Sequence, residues 1–507
     1  MILDDDGEAR GRAARHGATL DSLFRRVGVR RAHGLALVDP PDRYRVSDGA
    51  PRSLTFADAD RAIASVAAQL RGLGLPTDAL VAIQLGNTVE SAIALLAVLR
   101  AGMIPVPLPL LWRKQEIVAA LAQVGAKAII TASHVGDMRT ADIAVEAACE
   151  LFTIRHVCGF GRNLPDGVVP LDDRAGGDVS QPPTRAGHPA AHVAVVTFDE
   201  TPHGPIAVAR NHTELIAGGL AVALEAGHPQ DGAILTAVPL TSFAGLALTL
   251  VPWLLSGGTL HLHHPFEPET FAAQRKEIGA GLMVVPGAAL PALGTPERPG
   301  GETIAALWRA PERLAAQAAW HGPAALVDVA AFGELGLVAA RRTPGAEPAA
   351  LPYGAVGAPH AAAKDGSPLI EIQRTADGTV GLRGAMVPTH AFPPGAEQGY
   401  APFLAPDPAG LMDTGVACRR KLDTNTLTMS APPAGLVTVG GCRFYRSALE
   451  EAVAAVDVDA TIVALPDAAL GERLAGSTRD RAAIIAALQA AGVNPLIANA
   501  FRPRAAG

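Results

Sequence analysis

The sequence predicts an α/β protein: a large body of alternating strands and amphipathic helices, then a β-rich stretch and a small mixed tail. Three observations carry this expectation. Between Ser53 and Ser133, apolar β-branched runs alternate with segments of helical periodicity, the pattern of a parallel or mixed sheet. From Tyr353 to Met386, short strands and turn signals replace the helices, with Asp377-Gly378 as a hairpin turn. The 507 residues are 49% hydrophobic and 18% charged, enough apolar material for more than one core.

Composition narrows the function classes. The net charge is −7 and no basic block occurs, which argues against nucleic acid as the main partner. Cys149, Cys158, Cys418 and Cys442 show no Cys-x-x-Cys spacing. A reducing cytoplasm is therefore expected, with neither a metal cluster nor a disulfide framework. The N-terminal Met1-Ile2-Leu3-Asp4-Asp5-Asp6 is acidic where a signal peptide is basic and then apolar. The longest apolar run, Phe243 to Leu255, contains Pro252 and is too short to span a membrane, so it reads as a core helix.

The elements follow in order. Residues 1 to about 50 read as a leader and a first helix with Leu20, Leu23 and Phe24 on its apolar face, then a strand at Leu35–Val38. Ser53–Phe56 opens a strand, and Ala57–Leu73 is a helix ended by Gly72 and Gly74. Leu80–Leu85 is a strand. Asn87 is expected to cap the next helix, with Glu90 as its capping-box partner, as far as Arg100. Ile104–Leu108 is extended, Ile117–Gly125 helical, and Ala128–Thr131 a strand. Residues 150 to 190 read as a loop-rich connector.

The central stretch runs from Val193 to His212. Its apolar β-branched start is a buried strand, and a turn-rich loop follows. Ile206–Ala209 returns as a second strand, and Asn211 caps a helix bearing Leu215, Ile216 and Leu220. Further strands are expected at Ala233–Leu240, Leu282–Pro286, Ile304–Trp308 and Ala324–Val329. In the tail a strand surrounds Thr461–Ala464 and a helix covers Arg479–Ala491.

The layout of 193–212 resembles the phosphate-loop region of the AMP-forming ligases, the adenylate-forming superfamily that includes the acyl-CoA synthetases. That family carries Thr-Ser-Gly-Thr-Thr-Gly-x-Pro-Lys-Gly-Val with a His four residues later, and Pro205, Val208 and His212 fall in register. A second stretch agrees: Asn87, Glu90, Leu99-Arg100-Ala101-Gly102 and Pro105-Val106-Pro107-Leu108 follow the family's scaffold in order. The resemblance implies an acyl-CoA-synthetase-like fold. Residues 1–430 would form an AMP-binding-like domain of two α/β subdomains plus a β-rich subdomain, and 431–507 a small, shortened α+β domain.

The resemblance also places a nucleotide site, and there the chemistry departs. Thr197, Asp199, Glu200, Thr201 and Gly204 occupy the loop that in the family cradles ATP phosphates with amides, hydroxyls and an ammonium. Asp199-Glu200 replaces Ser-Gly, His203 a Gly, and Ile206 the Lys. A carboxylate about 5 Å from a phosphate charge costs roughly 3 kcal/mol at an effective dielectric of about 20. The expectation is impaired ATP handling, the other reading being a loop rebuilt around its acids, with Mg²⁺ bridging.

By the same resemblance, Thr241, Ser242, Phe243 and Gly333 line the acyl pocket. Thr241 and Ser242 stand where the family has an aromatic and a His. In the family's Tyr-Gly-x-Thr-Glu motif the Glu helps hold Mg²⁺, and Glu334 is its counterpart, the candidate catalytic and metal residue. Asp413 and Thr414 are remnants of the ribose-binding Thr-Gly-Asp motif, whose Asp is replaced by Val416. No lysine follows Lys421, so the family's C-terminal catalytic lysine is absent from this sequence. His261, His263 and His264 are expected to be ordinary strand-end histidines, since no carboxylate pattern completes a metal site.

Three readings follow. The first is a degenerate synthetase-like protein that binds an acyl or carboxylate ligand, as CoA or carrier-protein thioester, without efficient adenylation. The second is an active ligase of unusual mechanism using ATP, with AMP as product, and Mg²⁺. The third is a non-catalytic partner of an active ligase. Replacing Asp199, Glu200 and Ile206 by Ser, Gly and Lys is expected to raise nucleotide affinity if the loop keeps the family's path.

Overall fold

The computed structural model describes residues 17–174, 176, 182–183, 188–279, 281–293, 301–356, 368–389, 392–393, 404–467 and 470–503. The leader before residue 17 and the segment 357–359 lie outside these. Two sheets dominate the N-terminal body. The first has five parallel strands in the order Ile104–Pro107, Leu80–Gln84, Ala128–Ala132, His156–Phe160, Val168–Pro170. The last two correct the loop reading of 150–190. His156-Val157-Cys158-Gly159-Phe160 is a short run with a glycine in it, which a periodicity test misses, yet Ile130↔Cys158 pairing buries it.

The second sheet has eight strands. Gly336–Arg342 pairs antiparallel with Ala325–Phe332 at one edge, and Ser53–Thr55 with Leu35–Val38 at the other. Between them Thr303–Trp308, Leu282–Pro286, Ile234–Thr236 and Leu260–Leu262 run parallel. Helix Val89–Arg100 is buried along its whole length, so its apolar residues need no preferred face. Its one guanidinium, Arg100, is held by Asp21 at 2.9 Å and Asp60 at 2.7 Å.

The start of that helix corrects the cap expectation. Thr88, not Asn87, is the N-cap, and it makes no side-chain cap bond. Asn87 Nδ2 instead donates to the carbonyls of Thr236 and His263, both at 3.2 Å, joining the two sheets. Glu90 is taken by Arg43 (2.7 Å) and Arg52 (3.0 Å). These arginines offer a carboxylate more than a backbone N–H can, so the long-range pairs displace the local box. The Phe243–Leu255 run is helical but irregular: a turn at Phe243–Gly245, a π-type turn at Leu246–Leu250, then Val251–Ser256. Among the described residues no helix is long and apolar enough to cross a membrane.

A six-stranded antiparallel sheet follows, built from Leu351–Pro352, Thr426–Ala431, Met412–Lys421, Thr379–Arg383, Ile370–Arg374 and Gly354–Val356. The Asp377-Gly378 turn joins two of its strands as expected, with Gly378 at φ +85°. Last comes a smaller C-terminal domain with a four-stranded antiparallel sheet, Cys442–Tyr445, Leu436–Val439, Gly471–Ser477 and Thr461–Asp467. Helices Arg446–Ala454 and Arg481–Ala491 cover it. Val437, Leu449, Val453, Leu474, Leu488 and Phe501 give this domain a core of its own.

The small domain docks on the body at three points. Arg443 pairs with Asp199. Arg313 pairs with Glu472 at 3.2 Å. Glu116 Oε1 accepts the Asn494 N–H at 2.7 Å, and the Gln115 N–H donates to the Gly492 carbonyl at 3.2 Å.

Candidate functional site

The central stretch is a two-stranded hairpin, Val193–Thr201 with Gly204–Asn211. Alternation gives it two faces. Val196, Phe198, Ala207 and Ala209 pack toward Trp112 and the helix Lys114–Val124. Thr197, Asp199, Ile206, Val208 and Arg210 share the other face, because Thr197 pairs with Val208, Asp199 with Ile206, and Val195 with Arg210.

The ladder runs to the tip, which corrects the turn-rich loop. Thr201 opposes Gly204, leaving only Pro202 and His203 as the turn. The Thr201 hydroxyl donates to the Gly204 carbonyl at 2.7 Å and accepts the His203 N–H at 3.2 Å. Gly204, at φ +99°, supplies a backbone geometry that other residues resist. A sequence rich in turn formers thus closes as a tight hairpin, because Asp199 and Glu200 find cross-strand partners in Ile206 and Pro205.

The two acids do not point the same way. Asp199 is buried, and its Oδ1 accepts from the Arg443 guanidinium and, at 2.9 Å, from the Glu200 N–H. Its Oδ2 accepts the Glu334 N–H at 3.0 Å. Gly333 makes room for this. A Cβ there would lie 2.2 Å from Asp199 Oδ2, and its φ of +55° is left-handed. Gly333 therefore abuts Asp199 and Arg443. Glu200 is half-buried, and its carboxyl is pushed up to about 7 by burial first and by the Asp199 charge next, against the pull of Arg443.

Glu334 is buried in the turn between the strands Ala325–Phe332 and Gly336–Arg342. Its Oε2 accepts the Phe243 N–H at 2.7 Å, and its backbone carbonyl accepts from Arg210. Burial raises its pKa, with Arg309 and Arg210 opposing. Arg210 is fully buried, its guanidinium carbon 3.8 Å from the centre of the Phe243 ring. Burial pulls its pKa down to about 10. Ser242 caps the Phe243 turn, its Oγ accepting the Gly245 N–H at 3.1 Å and a bond from Arg309. Thr241 lines a shallow cleft with Asn87, Leu95 and Leu240.

The structure thus brings together Thr197, Asp199, Glu200, Ser242, Phe243, Gly333 and Glu334. Asp413 and Thr414 are spent elsewhere. Asp413 Oδ1 accepts from the Thr379 hydroxyl at 2.6 Å and the Gly415 N–H at 2.8 Å, and the Thr414 hydroxyl donates to the Val380 carbonyl at 2.8 Å. Among the described residues no cluster of three or more His, Cys, Asp or Glu is arranged to hold a metal. His263 is structural: its Nδ1 bonds Gln274 at 2.6 Å and its Nε2 accepts the Glu267 N–H at 3.1 Å.

Three arginines of this cluster, Arg210, Arg309 and Arg443, were not singled out by the sequence. Arg443 lies 244 residues from Asp199 along the chain, and nothing local marks the pair. Arg210 did carry a signal, a charge inside an otherwise apolar strand.

The family described as AMP-binding enzyme matches residues 35–302. The 2-hydroxy-7-methoxy-5-methyl-1-naphthoate–CoA ligase of Streptomyces carzinostaticus is 27% identical over 496 residues, 93% of this chain and 86% of that protein. A salicyl-AMP ligase/salicyl-S-ArCP synthetase of Mycobacterium tuberculosis is 30% identical over 188 residues, 36% of this chain and 33% of that protein. Among solved structures, apo MbtA of Mycobacterium smegmatis superposes with a TM-score of 0.64 at 22% identity, covering 96% of this chain and 91% of that one.

Proposed function

The chain belongs to the AMP-binding enzyme family, within the adenylate-forming superfamily, and we propose that it binds a small carboxylic acid or its thioester without efficient ATP-dependent adenylation. One observation carries this reading: Asp199, at the heart of the hairpin, is bonded to Arg443 of the small domain and to the Glu334 N–H. Several of the groups that the resemblance assigns to a nucleotide are engaged within the chain. The Thr201 hydroxyl closes the turn, Ile206 is 4% exposed, and Glu334 Oε2 holds the Phe243 amide. Mg-ATP fits this donor set poorly, because Thr201 and Glu334 must each first break an internal bond to receive it. Arg443 pairs with Asp199 and so offsets the charge that this acid would present to a phosphate.

The ligand class we propose is an aromatic carboxylic acid, delivered or carried away as a CoA or carrier-protein thioester. The naphthoate–CoA and salicyl-AMP ligases support it, since both are named for aromatic acids. We take 1–430 and 431–507 as the two domains, supported by the separate core of the small sheet. The four cysteines are unpaired, which supports a cytoplasmic setting. Calorimetric titration of the folded protein with Mg-ATP tests the reading. No heat is expected up to about 1 mM, and a micromolar Kd, which corresponds to roughly 8 kcal/mol of binding, overturns it in favour of a working ligase.

A further inference from the structure

Arg210 is the group the proposed function leaves unexplained. It is 0% exposed, stacked on Phe243, and only its Nη2 has an acceptor, the Glu334 carbonyl. Its Nε and Nη1 have no hydrogen-bond partner among the described residues. The carboxylates of Glu334, Glu214 and Asp199 act on the guanidinium by charge, and among the described residues none bonds these two positions. Thr197, 1% exposed, repeats the pattern, its hydroxyl without a partner among the described residues. The register places the two together. Thr197 opposes Val208 and Arg210 opposes Val195, so they are diagonal neighbours on one hairpin face.

Buried polar groups in folded proteins are bonded in all but a few cases, and those few ask for an explanation. Here two N–H positions of a guanidinium stacked on an aromatic ring share one hairpin face with a hydroxyl. A guanidinium with an adjacent hydroxyl is a donor set for a carboxylate. Phe243, Val195 and Val208 give the surroundings an apolar character suited to a ring or short acyl body. We infer that Arg210 and Thr197 form the subsite that recognises the carboxylate of the acid ligand, with Phe243 as its apolar wall. This rests on the proposed function for the ligand class.

The test is calorimetric titration of the full-length protein with benzoate and with benzamide, which match in shape and differ in charge. Wild type is expected to bind benzoate at least about tenfold more tightly than benzamide. Arg210→Gln is expected to remove that preference by weakening benzoate alone, and Thr197→Val to reduce it. Equal affinities for the two probes on wild type, or no benzoate binding by folded protein at about 10 mM, overturn the subsite, as does an unchanged preference in Arg210→Gln. If Arg210→Gln does not fold, the wild-type contrast and Thr197→Val decide. The outcomes separate from those of the proposed function. Tight Mg-ATP binding sinks that reading and leaves the contrast as measured, whereas a lost contrast with Mg-ATP silent sinks the subsite alone.

Discussion

Replacing Asp199 by Asn should loosen the small domain from the body. The Asp199 and Arg443 side chains are 10% and 13% exposed, so the pair is close to buried. The change keeps the shape and the Glu334 N–H contact but removes the charge that Arg443 faces. A hydrogen bond to a charged group contributes about 1.5–3 kcal/mol net. The upper end applies, because Arg443 Nε is already buried without a partner among the described residues and the cation would be left uncompensated. About 3 kcal/mol is roughly two decades in the docking equilibrium. Native-state hydrogen exchange reads it at sites remote from the substitution, on peptides containing Gln115 and Asn494, whose amides bond across the same seam. Both are expected to exchange about 30 to 100 times faster. Arg443→Met should do the same, and the double variant should exchange no faster than the worse single, since the two share one interaction. Unchanged exchange at both peptides, or strict additivity, refutes the latch.

Glu200→Gln tests the raised carboxyl. The unfolded chain releases this proton near the usual 4.5 while the folded chain holds it to about 7, so wild type loses stability as pH rises through that window. The Gln variant should melt with wild type at pH 5 and above it at pH 8, and parallel melting curves at both would contradict the assignment. Asp328→Ala removes the acceptor of Trp308 Nε1 (3.0 Å) and of Arg342 Nε and Nη2 (2.7 and 2.6 Å), all buried. It should cost about 3–5 kcal/mol by denaturant titration, and a loss under about 1 kcal/mol would show the network to be dispensable. The combined Asp199→Ser, Glu200→Gly, Ile206→Lys variant is now expected to leave Mg-ATP affinity unchanged, because position 206 is buried and in ladder register with 199. A gain of about tenfold would mean the hairpin opens into a phosphate loop after all.

What the sequence made legible divides by range. Strand and helix in 53–133 were readable because each element's period is set by its own burial, and Val81, Ile83 and Ile130 are core as their pattern demands. The hairpin was readable as two strands, but its length was not. Asp199 and Glu200 look like loop residues by composition, and only their registration against Ile206 and Pro205 makes them strand. Asn87 and Glu90 show the same limit. Their spacing is that of a capping box, yet Arg43, Arg52 and two carbonyls from the second sheet outbid the local partners. The site follows this rule most strongly. Its acids were found from one segment, but their meaning depends on arginines at 210, 309 and 443 that only the tertiary fold brings alongside. A carboxylate read alone predicts repulsion of phosphate. The same carboxylate paired with Arg443 becomes a strut between domains, and in the subsite we infer anion recognition falls to Arg210, whose Nε and Nη1 have no partner among the described residues. On that inference the hairpin's chemistry is better sought in carboxylates than in nucleotides.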